Sequence, residues 1–323
     1  MENIILNDDC FNVFSKIPNK SVQLVCVDLP YGQTHCEWDC LIDLDKMWVE
    51  LKRIGKDNCQ FVFFCTVKFG NTLINSNPKW FRYDIIWEKS KTLGALDCNI
   101  RPLRKHEMIY IFSNIGEDDI NICRNLEMRA YAEKVFTYIN KTLKQITDIM
   151  GNRKAEHFYY SNKSTQFGLP TKATYNKLIE LFNIDKMEGF LPFDKLKPFE
   201  TIKMIYNPQK TEGKPYKCNN SGYKGEVYGN VKSTPIDNKG DRFPISILKF
   251  DYDKEKLHPT QKPVALCEWI IKTYSNEGDL VLDFTMGSGS TVVACINTKR
   301  KYIGIEKDKT IFEIAKKRIG ELV

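Results

Sequence analysis

The sequence lacks several features that would assign it to a membrane, secreted or repeat class. It has no apolar run of about 18 residues, so we expect no membrane-spanning helix. The first ten residues, MENIILNDDC, contain no basic stretch followed by an apolar one, and no signal peptide is expected. There is no internal repeat and no low-complexity tail, so a repeat architecture is not expected either.

Metal ligands and paired cysteines are also scarce. The 11 cysteines are an odd number, and several lie inside apolar segments, which is typical of reduced thiols in a cytosolic protein. His35, Cys36 and Cys40 are close together, but no second pair of ligands follows at the spacing of a zinc finger. We therefore expect no disulfide framework, no metal and a cytoplasmic location.

What is present is a chain long enough to bury a sizeable core. Its 323 residues are 42% hydrophobic, which allows one large domain or two smaller ones. Lys and Arg number 48 against 41 Asp and Glu, a net charge of +7. This mild basic surplus indicates a polyanionic partner, although a solvated basic face explains it equally well.

The chain divides into three blocks. Residues 1–114 and 241–323 alternate strand and helix patterns, which favours a mostly parallel sheet covered by helices. Residues 115–240 form an inserted block with helical periodicity and a Gly-, Asn-, Lys- and Tyr-rich loop at 206–230. The predicted strands are 3–8, 22–28, 59–66, 83–89, 107–113, 279–285 and 300–307, and the predicted helices are 43–55, 133–151, 171–184, 264–275, 290–298 and 310–322.

A glycine-rich turn, LDFTMGSGST at 282–291, connects a strand to a helix. Gly287 and Gly289 allow a tight turn and close approach to a ligand, and Glu306 ends the next strand, where it can accept hydrogen bonds from ribose hydroxyls. The third glycine of a dinucleotide fingerprint is replaced by Val292, and the Asp283 carboxylate would repel a pyrophosphate. The loop thus favours S-adenosylmethionine over NAD, with a turn that binds no ligand as the remaining alternative.

A second pattern, VDLPYG at 27–32, places an acid, a proline and an aromatic ring at the end of a buried strand. The Asp28 carboxylate can accept hydrogen bonds, Pro30 stiffens the turn, and Tyr31 offers a flat aromatic face. The alternative is an ordinary turn at the end of a strand, with no functional role.

With both patterns in view, the chain resembles the amino-methylating DNA methyltransferases. The acid–x–Pro–Tyr motif at 28–31, the glycine loop and HPTQKPVAL (258–266) are similar to family motifs in both type and order, and so are WEKS (87–90) and HEMIYIF (106–112). The catalytic motif comes first and the cofactor motif last, as in the permuted group called beta. The resemblance implies a Rossmann-like methyltransferase sheet of α/β class, circularly permuted, with an inserted mainly helical region.

The resemblance also implies roles for individual residues. Those implied in catalysis are Asp28, Leu29, Pro30 and Tyr31, where Leu29 replaces a proline whose backbone carbonyl it retains. Those implied in binding S-adenosylmethionine are Asp9, Thr260, Lys262, Asp283, Phe284, Gly287, Gly289 and Glu306. Thr260 and Lys262 are expected near the methionine end. An acid at the adenine ring of the cofactor is expected from Asp9, with Asp8 as the alternative.

The inserted block has the pattern of a helix-turn-helix at 142–160, around Gly151. Its basic surplus suggests that it docks on DNA, and the candidate phosphate contacts are Lys141, Lys144, Arg153 and Lys154. The alternative is a helical insertion that only packs on the catalytic domain or on a second subunit.

The expected activity is site-specific transfer of a methyl group to adenine N6 in double-stranded DNA, since family members acting on cytosine N4 more often carry serine at the first motif position. A cytosine-N4 methyltransferase and a non-catalytic DNA-binding protein on the same scaffold are the alternatives. A homodimer and a cognate restriction endonuclease are left open as further partners, and no membrane partner is expected. The host is a bacterium, or the gene belongs to a phage acting in one.

Overall fold

The computed structural model describes residues 1–32, 40–115, 126–160, 167–196, 204–219, 223–225, 229–231, 235–258 and 260–322. The chain forms two compact units, one of residues 1–113 with 204–323, and one of residues 114–203. None of the helices described is both long and apolar enough to cross a membrane.

The first unit is built on a mixed sheet of eight strands. In chain order the strands of this unit are β1 (Ile4–Asn7), β2 (Val22–Asp28), β3 (Gly55–Cys65), β4 (Phe81–Leu93), β5 (Arg104–Ser113), β6 (Thr211–Glu212), β7 (Tyr216–Asn219), β8 (Tyr223–Gly225), β9 (Gly229–Val231), β10 (Pro235–Asn238), β11 (Asp241–Arg242), β12 (Ile247–Lys249), β13 (Leu280–Asp283) and β14 (Lys301–Glu306). The main sheet has the order β1-β14-β13-β2-β3-β5-β4-β12, and β6 to β11 pair in three small hairpin-like ladders. Only β5 runs antiparallel to its neighbours in the main sheet, so the predicted α/β class is confirmed.

Helices cover both faces of this sheet. The helices among the described residues are α1 (Cys10–Phe14), α2 (Leu44–Ile54), α3 (Val67–Ser76), α4 (Leu126–Ile139), α5 (Leu143–Met150), α6 (Glu156–Tyr159), α7 (Lys172–Phe182), α8 (Val264–Tyr274), α9 (Ser290–Asn297) and α10 (Lys309–Gly320). Short 3₁₀ helices span Ala95–Asp97, Ile184–Lys186 and Phe193–Lys195.

Strand β2 is covered on both faces, which explains its nearly continuous apolar sequence. Val25 and Val27 pack into the core that includes helices α1, α2 and α3, whereas Leu24 and Cys26 pack into the core under α8 and α9. Because successive side chains point to opposite faces, a strand covered on both sides is mostly apolar, and the buried polar side chain of Gln23 is hydrogen-bonded to Asn58. The strand is therefore central, and its last residue lies in the interior of the unit.

The structure differs from the predicted elements in several places, and helices α1 and α3 and strands β6 to β11 are among the elements that were not predicted. The periodic segment 133–151 is two helices, because Asn140 adopts a left-handed conformation (φ 49°) and Thr142 starts α5 with a capping box to Gln145. Strand β12 was not predicted. Its three residues are too few to show an alternating pattern, and it is placed by parallel pairing with β4.

The predicted block boundary at residue 240 also differs from the boundary between the units. Residues 204–240 group with the first unit, because the Gln60 side-chain amide donates to the Ile205 carbonyl at 2.7 Å and the Asn207 amide donates to the Thr273 carbonyl at 2.8 Å. The second unit has its own core, formed by side chains of α4 to α7 and the segments that follow, with Phe158 and Tyr175 fully buried.

Candidate active site

Three neighbouring parallel strands end in acids at one edge of the sheet. Asp28 is the last residue of β2, Asp283 of β13 and Glu306 of β14. Since β2, β13 and β14 are adjacent and parallel, their carboxyl ends lie side by side. A cavity of about 1250 Å³ opens there, and all three acids line it. Ligands of open α/β sheets bind at this edge.

The VDLPYG segment forms one wall of the cavity. The Tyr31 hydroxyl donates to Asp28 Oδ1 at 2.6 Å, and the Tyr31 ring lies 5.1 Å from that of Phe69, measured between centroids. Leu29 is buried, and it lines the cavity together with Pro30. The Thr285 hydroxyl donates to the Asp28 backbone carbonyl at 3.0 Å, which joins the two sequence motifs directly.

A chain of four alternating charges leads inward from Asp28. The Lys262 ammonium pairs with Asp28 Oδ2 and lies 3.2 Å from Glu107 Oε1. The other Glu107 oxygen accepts from the Lys89 ammonium at 2.7 Å. The side chains of Lys262, Glu107 and Lys89 are each about 10% exposed, so solvent screens this chain weakly.

Burial and the neighbouring charges have opposite effects on the pKa values of these paired groups. Burial raises the pKa of the Asp28 carboxyl, and the nearby Lys262 ammonium opposes that rise. Burial would also raise the pKa of Glu107, but the Lys262 and Lys89 ammonium groups outweigh it and hold that pKa below its usual value. The Lys262 pKa is raised despite burial, because Asp28 and Glu107 stabilise its charge. The Lys262 ammonium therefore favours the ionised form of both carboxyl groups, against the effect of burial.

The glycine loop forms the opposite wall. The Gly287 amide donates to Glu306 Oε2 at 3.0 Å, and the Asp308 amide donates to Oε1 at 2.8 Å, so the backbone fixes the orientation of this carboxylate. Gly287 has a φ of 54°, which favours glycine. Phe284 lines the cavity too. Burial raises the pKa of Glu306.

Asp283 is almost fully buried at the base of the loop. The Thr285 amide donates to its Oδ1 at 3.1 Å. Burial raises the pKa of Asp283 to about 7, and hydrogen bonds from Thr291 and Thr285 only partly oppose this. The carboxyl is thus poised to ionise fully when a cation binds beside it.

Gly289 has a different place from the other predicted cofactor residues. It precedes α9 with a φ of 82°, and an added Cβ would lie 3.1 Å from Ile319 Cδ1 and 3.5 Å from Ala315 Cβ. It is not among the residues that line the cavity. Gly289 therefore lets α10 pack against the loop, and its contribution to the site is indirect.

Both N-terminal acids line the cavity. Asp9 caps α1 by accepting from the Phe11 amide at 3.0 Å, and its other oxygen pairs with Lys307 at 3.0 Å. Asp8 accepts from the Asp9 amide at 2.8 Å and from the Asn12 side chain at 2.9 Å. The assignment of the adenine-ring contact to Asp9 stays a prediction.

Thr260 and Lys262, both predicted at the methionine end of a cofactor, have unlike surroundings. Thr260 is exposed at the cavity wall, where its hydroxyl lies 3.1 Å from His258 Nδ1. Lys262 is turned instead towards Asp28 and Glu107. Its contact with Asp28 links the HPTQKP segment to the catalytic motif, a connection that sequence spacing does not reveal.

Lys89 and Glu107 were missed as site residues, although they lie in the WEKS and HEMIYIF segments. The available signal was a charge close to an apolar run in each of the strands β4 and β5, with Lys89 shortly after IIW and Glu107 directly before MIYIF. Such a charge is seldom buried unless it is paired.

The four predicted DNA contacts lie in the second unit. Lys141, Lys144, Arg153 and Lys154 are exposed there, and Arg153 pairs with Glu156 at 2.6 Å. Helices α5 and α6 flank Gly151, as the helix-turn-helix pattern predicts, but α6 is a single turn. His35 and Cys36 lie outside the described residues, and within those residues no three side chains group as a metal site.

Comparison with known proteins identifies the family. The family model of the N6/N4 DNA methylases matches residues 22–317. The Type II methyltransferase M.HpaI of Haemophilus parainfluenzae is 39% identical over 94 residues, which is 29% of this chain and 30% of that protein. The orphan methyltransferase M.BamHII of Bacillus amyloliquefaciens is 32% identical over 173 residues, 51% of this chain and 61% of that protein. The aligned parts are thus less than two thirds of the length of these relatives.

Solved structures show the same fold. The PvuII DNA methyltransferase, a cytosine-N4-specific enzyme, aligns over 100% of this chain and 91% of its own, with a TM-score of 0.50 and 12% identity. An identity this low supports the fold alone, whereas the family match covers well over half of the sequence and includes every strand end that forms the site. The chain therefore belongs to the N6/N4 DNA methylase family.

Proposed function

We propose that this protein is a site-specific DNA methyltransferase that methylates the N6 amino group of adenine in duplex DNA after flipping the base out of the helix. The observation that carries the proposal is the convergence of Asp28 and Tyr31 with Asp283 and Glu306 around one cavity. Asp28 and Tyr31 suit an amino group on a flat base. Asp283 and Glu306 suit a cofactor with a cationic end and a ribose.

S-adenosylmethionine is the methyl donor of this family, and the residues present fit it. The buried Asp283 carboxyl is suited to the cofactor ammonium, because pairing would offset the cost of its ionisation. Glu306 is held by backbone amides with acceptor capacity to spare for ribose hydroxyls. The cofactor supplies an electrophilic methyl group, and the protein supplies positioning.

The amino group requires activation because its lone pair is delocalised. Asp28 accepts a hydrogen bond from one N–H and favours a tetrahedral nitrogen, whose lone pair then attacks the methyl carbon as the carbon–sulfur bond breaks. The nitrogen becomes cationic and loses a proton within reach of the Asp28 carboxylate. This is catalysis by orientation and electrostatics, with no covalent enzyme intermediate.

The acid at position 28 favours adenine over cytosine as the target. The cytosine-N4 alternative is retained because the fold is shared with the PvuII enzyme, which is specific for that base. A non-catalytic DNA-binding role is disfavoured by the intact carboxylates at the cavity wall. The proposal further includes a cytoplasmic location in a bacterial or phage-infected cell, with a homodimer and a cognate restriction endonuclease as open partners.

Product analysis tests this proposal. A plasmid is propagated with and without the expressed protein, and its nucleosides and methylated positions are then determined. N6-methyladenine at one sequence is the expected product. N4-methylcytosine would reject adenine while retaining the family chemistry, and unmodified DNA would reject the activity.

Asp28→Ala is expected to abolish methyl transfer without weakening the binding of S-adenosylmethionine. Losing a charged hydrogen bond at the reacting nitrogen costs about 3–4 kcal/mol in the transition state, a hundredfold or more in rate. Transfer of labelled methyl groups to DNA measures the rate, and calorimetry measures S-adenosylmethionine affinity. Asp84→Ala removes an exposed acid that does not line the cavity and serves as the control. A parental rate in Asp28→Ala would contradict the assignment.

A further inference from the structure

The connection between β4 and β5 carries an unusual concentration of exposed apolar side chains. Leu96 is 101% exposed and Ile100 82% exposed, and Leu93 and Leu103 beside them are 49% and 43% exposed. Single exposed apolar residues are ordinary, but four within eleven positions form a patch that favours a partner.

The connection is an ordered structure. Leu93 pairs with Arg104 across the antiparallel ladder, beyond an irregularity between Glu88 and Leu93, so the ladder reaches the base of this connection. Gly94 then turns with a φ of 88°, and Ala95–Asp97 forms a 3₁₀ helix. The apolar side chains are therefore presented by a short protruding hairpin, defined here as residues 93–104.

The base of this hairpin is part of the active-site cavity. Leu93 and Arg104 line the same cavity as Asp28 and Tyr31. Whatever covers the apolar tip therefore also lies close to the cavity that a flipped base would enter.

Charge at the hairpin identifies the kind of partner. Lys91, Arg101 and Arg104 stand against a single acid, Asp97, within residues 91–104, whereas Lys105 beside them is paired with Glu88. One of them also has unused donor capacity: Arg104 Nη2 is buried and has no hydrogen-bond partner among the described residues. A buried guanidinium nitrogen without a partner is uncommon in native structures, and the acceptors that match a guanidinium are carboxylate and phosphate oxygens.

A nucleic acid duplex combines both features, a polyanionic backbone and an apolar stacked interior. Taking a base out of the stack leaves a gap between its neighbours, and apolar side chains inserted between base steps stabilise such distorted DNA. Leucine and isoleucine are suited to this role because they fill the gap without polar groups that need partners.

We propose that the 93–104 hairpin opens the DNA: Leu96 and Ile100 fill the space left by the flipped base, and Arg104 binds a phosphate beside it. This inference rests on the proposed function, because it assumes that a base is flipped into the cavity. It assigns a role in substrate opening to residues that take no part in methyl transfer.

The experiment compares two duplexes that carry the methylation site found by plasmid sequencing. In one the target base is normally paired, and in the other it faces an abasic position, so that extrusion costs little. The double variant Leu96→Ala/Ile100→Ala is expected to lose about tenfold or more in kcat/KM on the paired duplex, and less than about threefold on the abasic one.

Val49→Ala is the matched control, because Val49 is a 65% exposed apolar residue on α2 that does not line the cavity. S-adenosylmethionine affinity and melting temperature should be parental in both variants. Parental kcat/KM on the paired duplex would overturn the inference, and so would an equal loss on both duplexes. A parent that dimerises by sedimentation, with a variant that does not, would instead assign the tip to a second copy of the chain.

Arg104→Gln tests the phosphate contact separately. Losing one neutralised phosphate should lower the magnitude of the slope of log affinity against log salt by about 0.9, on both duplexes alike. An unchanged slope would overturn this part. If the parent protein is inactive on every duplex, the proposed function and this inference are both rejected. If the parent is active but Leu96→Ala/Ile100→Ala loses the same activity on both duplexes, only this inference is rejected.

Discussion

At the scale of single residues, the site depends on how the Lys262 charge is shared. Lys262 contacts both Asp28 and Glu107, and Lys89 holds the second oxygen of Glu107. A carboxylate that is the only partner of an ammonium group accepts a further hydrogen bond less strongly than a carboxylate that shares the ammonium with a second acid. Glu107 therefore preserves the ability of Asp28 to accept a hydrogen bond from the substrate.

Glu107→Gln should consequently change both the rate and its pH dependence. Glu107 contributes to raising the pKa of Asp28, so its neutralisation lowers that pKa and moves the acid limb of kcat to lower pH. The rate at neutral pH should fall about tenfold, since Lys262 then pairs with Asp28 alone and weakens a charged hydrogen bond by roughly 1.4 kcal/mol.

The measurement is kcat from pH 5 to 9, with S-adenosylmethionine affinity as a check on the fold of the site. Glu88→Gln is the control, because Glu88 is on the neighbouring strand β4 and pairs at the surface with Lys105 and Lys249. An acid limb that stays in place would show that Glu107 has only a structural role.

Asp283 predicts a pH dependence of cofactor binding. With a pKa of about 7 in the protein without ligand, Asp283 is increasingly protonated below that pH, and a neutral carboxyl does not pair with the cofactor ammonium. Affinity for S-adenosylmethionine should be level above about pH 7.5 and fall by up to tenfold per pH unit below 7. Calorimetric titrations between pH 5.5 and 8.5 measure this, and Asp283→Asn should bind weakly with little dependence on pH.

At the scale of elements, the position of the glycine loop depends on its close packing against β14. Gly304 lies in the middle of β14, and a Cβ there would lie 2.5 Å from Met286 Sδ and 2.9 Å from Val292 Cγ2. The close packing of loop, strand and α9 therefore needs a residue without a side chain at this position. The same packing brings the Gly287 amide to Glu306, the last residue of β14.

Gly304→Ala is expected to lower the free energy of unfolding by about 1–3 kcal/mol, as overpacking does, and to weaken S-adenosylmethionine binding by displacing the loop. Chemical denaturation and calorimetry measure the two effects. Gly320→Ala at the end of α10, where an added Cβ meets nothing within 4 Å, should leave both quantities nearly unchanged. Parental cofactor affinity in Gly304→Ala would show that the loop position does not depend on this packing.

At the scale of the whole molecule, the basic surplus predicts electrostatic DNA binding. If about five phosphates are neutralised, log affinity should fall against log salt with a slope of about −4 to −5. Replacing Lys144, Arg153 and Lys154 together by glutamine should flatten that slope if the second unit touches DNA.

The control for this experiment removes three positive charges elsewhere. Lys20, Lys56 and Lys301 pair with acids near the amino ends of β2, β3 and β14, the sheet edge opposite the cavity, and their replacement by glutamine should leave the slope unchanged. Fluorescence titrations from 50 to 300 mM salt provide the slopes. Equal slopes for the parent and the second-unit variant would favour an insertion that only packs.

The sequence by itself determined the local elements and the chemistry at their ends. Strand β2 is apolar at its buried positions except Gln23 and ends at Asp28, and the glycine turn must follow a strand and precede a helix, so periodicity and turn residues suffice for both. These signals involve neighbouring residues, which is why they could be read without the fold.

Only the tertiary structure decided which distant residues meet. Lys262 contacts an acid 234 positions away, and Glu107 and Lys89 join them from two further strands. Strand order and side-chain direction produce this cluster, and neither has a signature in local sequence. The same reason explains the separation of Gly289 from the cavity and the grouping of residues 204–240 with the first unit. Each follows from packing between segments that are far apart in the chain.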